Sequence, residues 1–202
     1  MMTSDVRKIT HIITGLGTGG AERALYNLLA SDFGKKYKCS VISLRDIGTY
    51  GEALRALDVP VYCLNIQADF SLFSAILKFR RIIIQLRPDV LQGWMYHGNL
   101  FAVLGQTFLG GLARLAWNVR HSLYSLEGEK FSTRQVIRVS RFFSTRADLI
   151  FYNSEISRVQ HEDFGFDSVN SVLNPNGFNT ENLKPSLGLR KAMRRELEIT
   201  DD

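Results

Sequence analysis

Short runs of apolar and β-branched residues alternate with stretches of helical spacing from one end of the chain to the other. This period switching constrains the fold more than any single motif does. Strands are predicted at Ile9–Thr14, Cys39–Leu44, Val59–Leu64, Val90–Gly93, Leu115–Val119, Leu149–Asn153 and Ser171–Leu173. After a glycine loop, Ala21, Ala24, Leu25, Leu28 and Leu29 share one helical face. Further helices are predicted near Gly51–Leu57, Ser71–Leu86, Gly98–Leu109, Ser132–Arg146 and Glu155–Phe164. In the Ser71–Leu86 helix the apolar stripe reads as Leu72, Phe73, Ile76, Leu77, Ile83 and Ile84, with Pro88 as the stop. Near-continuous apolar strands separated by helices imply an α/β fold: a Rossmann-like parallel sheet of about six or seven strands, covered by helices on both faces.

The length of 202 residues suits one domain with a full core. With 45% hydrophobic and 22% charged residues, a disordered chain is excluded. Two cysteines, Cys39 and Cys63, sit in apolar stretches, so a disulfide scaffold is excluded and reduced core thiols of a cytoplasmic protein are expected. Met1–Lys8 is polar and the apolar run behind it is short, so no signal peptide is expected. Val90–Ala113 has no charged residue and is long enough to cross a bilayer. It contains Gln92, His97, Asn99, Gln106 and several glycines, so it reads as a buried strand, loop and helix.

Ligands of open parallel sheets bind beyond the carboxyl ends of the strands. The segments there are polar and aromatic: Gly15–Gly20, Trp94–Asn99, Arg120–Ser122, Asn153–Glu155 and Asn174–Gly177. Gly15, Gly17 and Gly20 match the dinucleotide fingerprint in the right context. Glu22, which would repel a diphosphate, and Arg45 after the second strand weigh against it. A nucleotide- or dinucleotide-binding module stays open as the alternative. No Cys/His spacing suggests a metal site, and no nucleic-acid motif is present.

Gly19-Gly20-Ala21-Glu22-Arg23 resembles the GGAER signature of retaining glycosyltransferases of family 4. Trp94–His97, Asn118–Ser122, Phe151–Glu155 and Asn174–Asn179 resemble further segments of that family, in the same order. Asn179 departs from the usual Asp. The resemblance implies the N-terminal, acceptor-binding half of a two-domain B-type enzyme. Residues 1–185 would form that half, and 186–202 would begin a helix leading to a donor-binding domain. The chain alone would then be inactive. The implied chemistry is retaining transfer from a nucleotide-sugar to a glycan or lipid-linked acceptor, in surface polysaccharide or glycolipid synthesis. It needs no metal and no cofactor besides the co-substrate.

The same resemblance implies roles. Gly19 and Gly20 would lie against the donor, with Glu22 and Arg23 facing the cleft. His97 would act at the reacting sugar, beside Tyr96. Arg120 and His121 would meet an anionic group. Asn153 and Ser154 would line the floor, and Asn176 and Gly177 the hinge side. His11 and His161 are read as structural, one in a strand and the other on a charged helix.

The net charge of +5 is uneven. Arg134, Arg138 and Arg141 fall on one helical stripe, and Lys78, Arg80, Arg81 and Arg87 form a second cluster. The stripe is expected to face an anionic membrane surface, making the protein peripheral at the inner face of the membrane. Nucleic acid is not an expected partner.

Overall fold

A computed structural model describes residues 6–66, 72–124, 126, 128, 130–177, 180 and 184–199. The predicted Phe178-Asn179 contact lies outside these residues. The strands are β1 (Lys8–Ile13), β2 (Lys38–Ser43), β3 (Val61–Cys63), β4 (Val90–Trp94), β5 (Arg114–Val119), β6 (Leu149–Tyr152) and β7 (Ser171–Leu173). The helices are α1 (Gly20–Ala30), α2 (Asp32–Lys36), α3 (Gly48–Arg55), α4 (Leu72–Leu86), α5 (Met95–Phe108), α6 (Phe131–Phe143), α7 (Glu155–Asp163) and α8 (Leu187–Glu196). All seven strands are parallel, in the order β3-β2-β1-β4-β5-β6-β7.

Strand alternation sends neighbouring residues into two cores. Ile13, Val41 and Trp94 meet α1 and α3, whereas Ile12, Ile42 and Leu91 meet α4, α5 and α6. Parallel crossovers are right-handed. The chain therefore winds one way from β1 to β3 and the other way from β4 to β7, and the direction reverses between β1 and β4. Loops leaving the two strands part to opposite faces there and open a crevice. Helix α8 has no buried residue.

Several expectations need correction. The buried face of α4 is Ala75, Phe79, Ile82 and Ile83; Leu72, Phe73, Leu77 and Ile84 are exposed. Apolar residues cover so much of this helix that spacing alone does not pick out the inner stripe. The loop expected after β4 is absent: α5 starts directly at Met95, whose φ of 62° makes the sharp turn. The short helix α2, capped by Ser31, was not anticipated. Cys39 and Cys63 are free but only partly buried. His161 agrees with its structural reading: it is fully buried on the inner side of α7. Among the described residues, no helix is long and apolar enough to cross a membrane.

Helix α5 rests directly on the sheet because two glycines lack side chains. A Cβ on Gly93 would fall 2.4 Å from Asn99 Cα, and one on Gly98 would fall 2.3 Å from the Ile12 carbonyl oxygen. That close seating brings the first turn of α5 to the crevice.

Candidate functional site

The crevice holds a cavity of about 460 Å³ at the switch point. Thr14 ends β1; Gly20, Ala21 and Glu22 open α1; Met95, Tyr96 and His97 open α5. Arg120 and His121 follow β5, Thr133 lies in α6, Asn153 follows β6, and Asn176 follows β7. Residues far apart in sequence thus converge because each strand delivers its last residue to one edge of the sheet. A second cavity, about 610 Å³, lies between α1 and the Asn174–Gly177 segment and shares Arg120 and Asn176.

Arg120 stands between the two cavities. Its guanidinium lies 4.9 Å from the centre of the buried Trp94 ring and donates to Asn176 Oδ1. Burial lowers its pKa, yet an arginine remains a cation at any physiological pH. This is a fixed positive charge with a planar fork, suited to phosphate or carboxylate oxygens.

The glycines differ in what they meet. A Cβ on Gly20 would find nothing within 4 Å, so internal packing does not demand this glycine. The same vector from Gly19, the residue before α1, meets the Glu22 carboxylate. Glu22 therefore folds back over the helix start, where a carboxylate is favoured by the helix dipole. Of the fingerprint glycines only Gly20 lines the cavity.

His97 is exposed at the cavity. Partial desolvation and then the Arg45 cation lower its pKa, so it is neutral at pH 7, able to donate from one ring nitrogen and accept at the other. Tyr96 is buried, and its hydroxyl lies 2.6 Å from His161 Nε2. His161 Nδ1 lies 2.7 Å from the Ser157 carbonyl, which can only accept. The proton therefore sits on Nδ1, and Nε2 accepts from the Tyr96 hydroxyl. Helix α7 also fixes the loop after β5: Ser157 Oγ donates to the His121 carbonyl at 2.7 Å, and Leu123 N–H donates to Gln160 Oε1 at 2.7 Å.

Burial dominates in holding both His11 and His161 at a pKa of about 4. Gln92 opposes the shift at His11, and the Ser157 carbonyl opposes it at His161. The unfolded chain, with histidines near 6.5, binds more protons between the two values. Stability should thus be complete above pH 6.5 and fall as the pH drops toward 4, by on the order of 3 kcal/mol per histidine. Urea unfolding from pH 4 to 8 measures this, and His161→Gln should remove about half of the histidine contribution.

Of the predicted site residues, Gly20, Glu22, Tyr96, His97, Arg120, His121, Asn153 and Asn176 share the first cavity. Gly177 lines the second. Arg23 is exposed and lines neither, because successive helix residues point about 100° apart and Glu22 takes the inward direction. Ser154 also lines neither; it caps α7, its Oγ accepting from Ser157 N–H. Thr14 and Thr133 were missed, and Ala21 and Met95, though inside the segments singled out, were given no role. Thr14 ends a strand and was legible as such, whereas nothing in the sequence marks Met95 as a turn. The predicted arginine stripe on α6 is uneven: Arg134 is partly buried over Phe131, Arg141 lies over Phe164, and Arg138 is exposed.

The chain is a Rossmann-like α/β domain with a crevice at its switch point. A sequence model of the family described as Glycosyltransferase Family 4 matches residues 18–182, and the chain belongs to that family. No curated protein matches the sequence. Among solved structures, Anabaena Alr3699/HepE in complex with UDP-glucose is 19% identical with a TM-score of 0.76, covering 96% of this chain and 50% of that one. The apo lipopolysaccharide outer core galactosyltransferase WaaB is 18% identical with a TM-score of 0.61, covering 86% and 47%. MurG of Acinetobacter baumannii is 16% identical with a TM-score of 0.55, covering 86% and 47%. At these identities the likeness is one of fold. The chain spans about half the length of these solved structures.

Proposed function

We propose that this domain supplies the acceptor side of a sugar-transfer site. A nucleotide-sugar is the donor, and a glycan or lipid-linked molecule in surface polysaccharide or glycolipid synthesis is the acceptor. Transfer proceeds with retention, without a metal, and the donor's nucleotide is held mainly by a domain beyond residue 185. The single observation that carries the reading is the cavity at the β1/β4 switch point, where Gly20, His97, Arg120 and Asn176 meet.

Each group has a task in this reading. Gly20 leaves room for the donor's sugar and diphosphate to approach the start of α1. His97, neutral, orients an acceptor hydroxyl by hydrogen bonding. Arg120 holds an anionic oxygen, and Trp94 and Asn176 hold Arg120. Tyr96 is a wall fixed by His161, and Asn153 supplies amide donors and acceptors to hydroxyls. In the cell the protein sits in the cytoplasm, peripheral at the inner face of the membrane, with Arg134, Arg138 and Arg141 of α6 toward the lipid.

Arg120→Ala tests this. Transfer of labelled sugar by the full gene product should fall at least about a hundredfold, as when a positioned donor is lost from a reacting centre. Arg120→Lys should not restore it, because an ammonium neither forks onto two oxygens nor lies flat on Trp94. Wild-type turnover by Arg120→Ala would remove Arg120 from the site.

A further inference from the structure

The floor of the second cavity is polar where central strands are expected to be apolar. Helix α5 covers one face of β4 and β5. On the other face, Gln92 and Trp94 of β4 stand beside Asn118 of β5, which pairs with Trp94 in register. Asn118 is 4% exposed, lines the cavity and makes no side-chain hydrogen bond among the described residues. A buried amide without a partner is unfavourable unless something meets it. Asn27 of α1 stands in one wall, and Asn174 and Asn176 stand in the other. Gln92 is hydrogen-bonded to His11, and Asn176 to Arg120. Five carboxamides thus surround one space; among the described residues lining it, Arg120 is the one cation and there is no carboxylate.

We propose that the second cavity is a subsite for a neutral sugar residue of the acceptor, the one next to the sugar that reacts in the first cavity. A carboxamide both donates and accepts, as each sugar hydroxyl does, so its nitrogen and oxygen can take two neighbouring hydroxyls together. A ring of such groups without a carboxylate suits an uncharged ligand rich in hydroxyls. A nucleobase would need a ring to stack on, and the Trp94 ring is 1% exposed with Arg120 already over its face. An apolar helix laid on this floor would leave Asn118 buried without a partner. The two cavities adjoin, since Arg120 and Asn176 line both. A glycan whose end reacts in the first therefore has its next residue within reach of the second, and the acceptor is an oligosaccharide of at least two residues. In naming the ligand an acceptor the inference rests on the proposed function; the sugar contact itself does not.

Saturation-transfer NMR titration of the full gene product tests it, with no nucleotide-sugar present. The probes are the neutral disaccharides cellobiose, maltose, lactose and diacetylchitobiose, each beside its own monosaccharides. At least one disaccharide should bind at millimolar concentration, about tenfold or more tightly than its monosaccharides do. Asn118→Leu keeps the size of the side chain and has no hydrogen bond to lose, so it should melt at or above the wild-type temperature while disaccharide binding falls about tenfold or more. Asn27→Ala changes an exposed position of α1, where the fold does not depend on it, and should weaken binding about threefold or more. The proposal is overturned if no disaccharide binds, if monosaccharides bind as tightly, or if both variants bind as wild type does. It is equally overturned if Asn118→Leu melts well below wild type, which would make the amide a structural group. Loss of transfer in Arg120→Ala together with unchanged disaccharide binding in both asparagine variants would remove the subsite and leave the transfer reading standing.

Discussion

Gly98→Ala should unfold the domain or leave it barely stable. The added methyl would sit 2.3 Å from the Ile12 carbonyl oxygen and 3.1 Å from its carbon, backbone atoms of the central strand β1. A flexible side chain could swing aside, but β1 is hydrogen-bonded between β2 and β4 along its length. Relief therefore requires α5 to lift from the sheet. Its seat is shared by Gly93 and by Ala102 and Val103 in the larger core, so lifting also opens voids there. The expected cost is about 3 kcal/mol or more, against a total of roughly 5–15 kcal/mol for a domain. Urea denaturation followed by circular dichroism measures it. A cost below about 1 kcal/mol would mean that α5 is not seated as closely as described.

Gly20→Leu should do the opposite: retain the fold and abolish transfer. No atom lies within 4 Å of the position its Cβ would take, and the residue sits in the first turn of α1. Leucine has the better helix propensity, so stability should hold or rise by up to about 1 kcal/mol. Its side chain would project into the cavity shared with His97 and Arg120. If donor and acceptor react there, filling that space should cost about a hundredfold or more in turnover, as misplacement of reacting groups does. Turnover equal to wild type with the fold intact would show that Gly20 is a turn residue and nothing more. Together the two glycines separate a stability role from a site role: one meets its own backbone, the other meets open space.

The sequence's period switching exposed the sheet well because buried parallel strands are apolar throughout, and such runs stand out. It exposed much of the site for a related reason: strand ends deliver polar residues to one edge; Arg120 and Asn153 follow strands directly, and Asn176 lies in the turn after β7. Helix orientation was harder to see. The apolar residues of α4 wrap most of the helix, so Phe73 and Leu77 were read onto the inner stripe while the buried Phe79 was left off it. Arg23 looked equivalent to Glu22 until the helix rotation placed it outward. His161 was read as structural, but its partners were hidden because α7 buries polar groups. The inner face of α7 is made of Ser157 and His161, held by hydrogen bonds to the His121 carbonyl and Tyr96 and by ring contacts of His161 with Tyr152 and Phe166. Met95, turning at a positive φ without being glycine or asparagine, gave no local signal.

The central claim is that sugar transfer takes place at the β1/β4 crevice. The measurement that meets it most directly is transfer from a panel of nucleotide-sugars to lipid and glycan acceptors by the full gene product. Wild type, Gly20→Leu and Arg120→Ala would be compared at matched folded concentration. The account predicts acceptor-dependent release of a nucleoside diphosphate by wild type and its loss in both variants. Transfer at the wild-type rate by both variants would contradict it. So would wild-type protein that transfers no sugar but binds NAD(H) or NADP(H) at micromolar concentration.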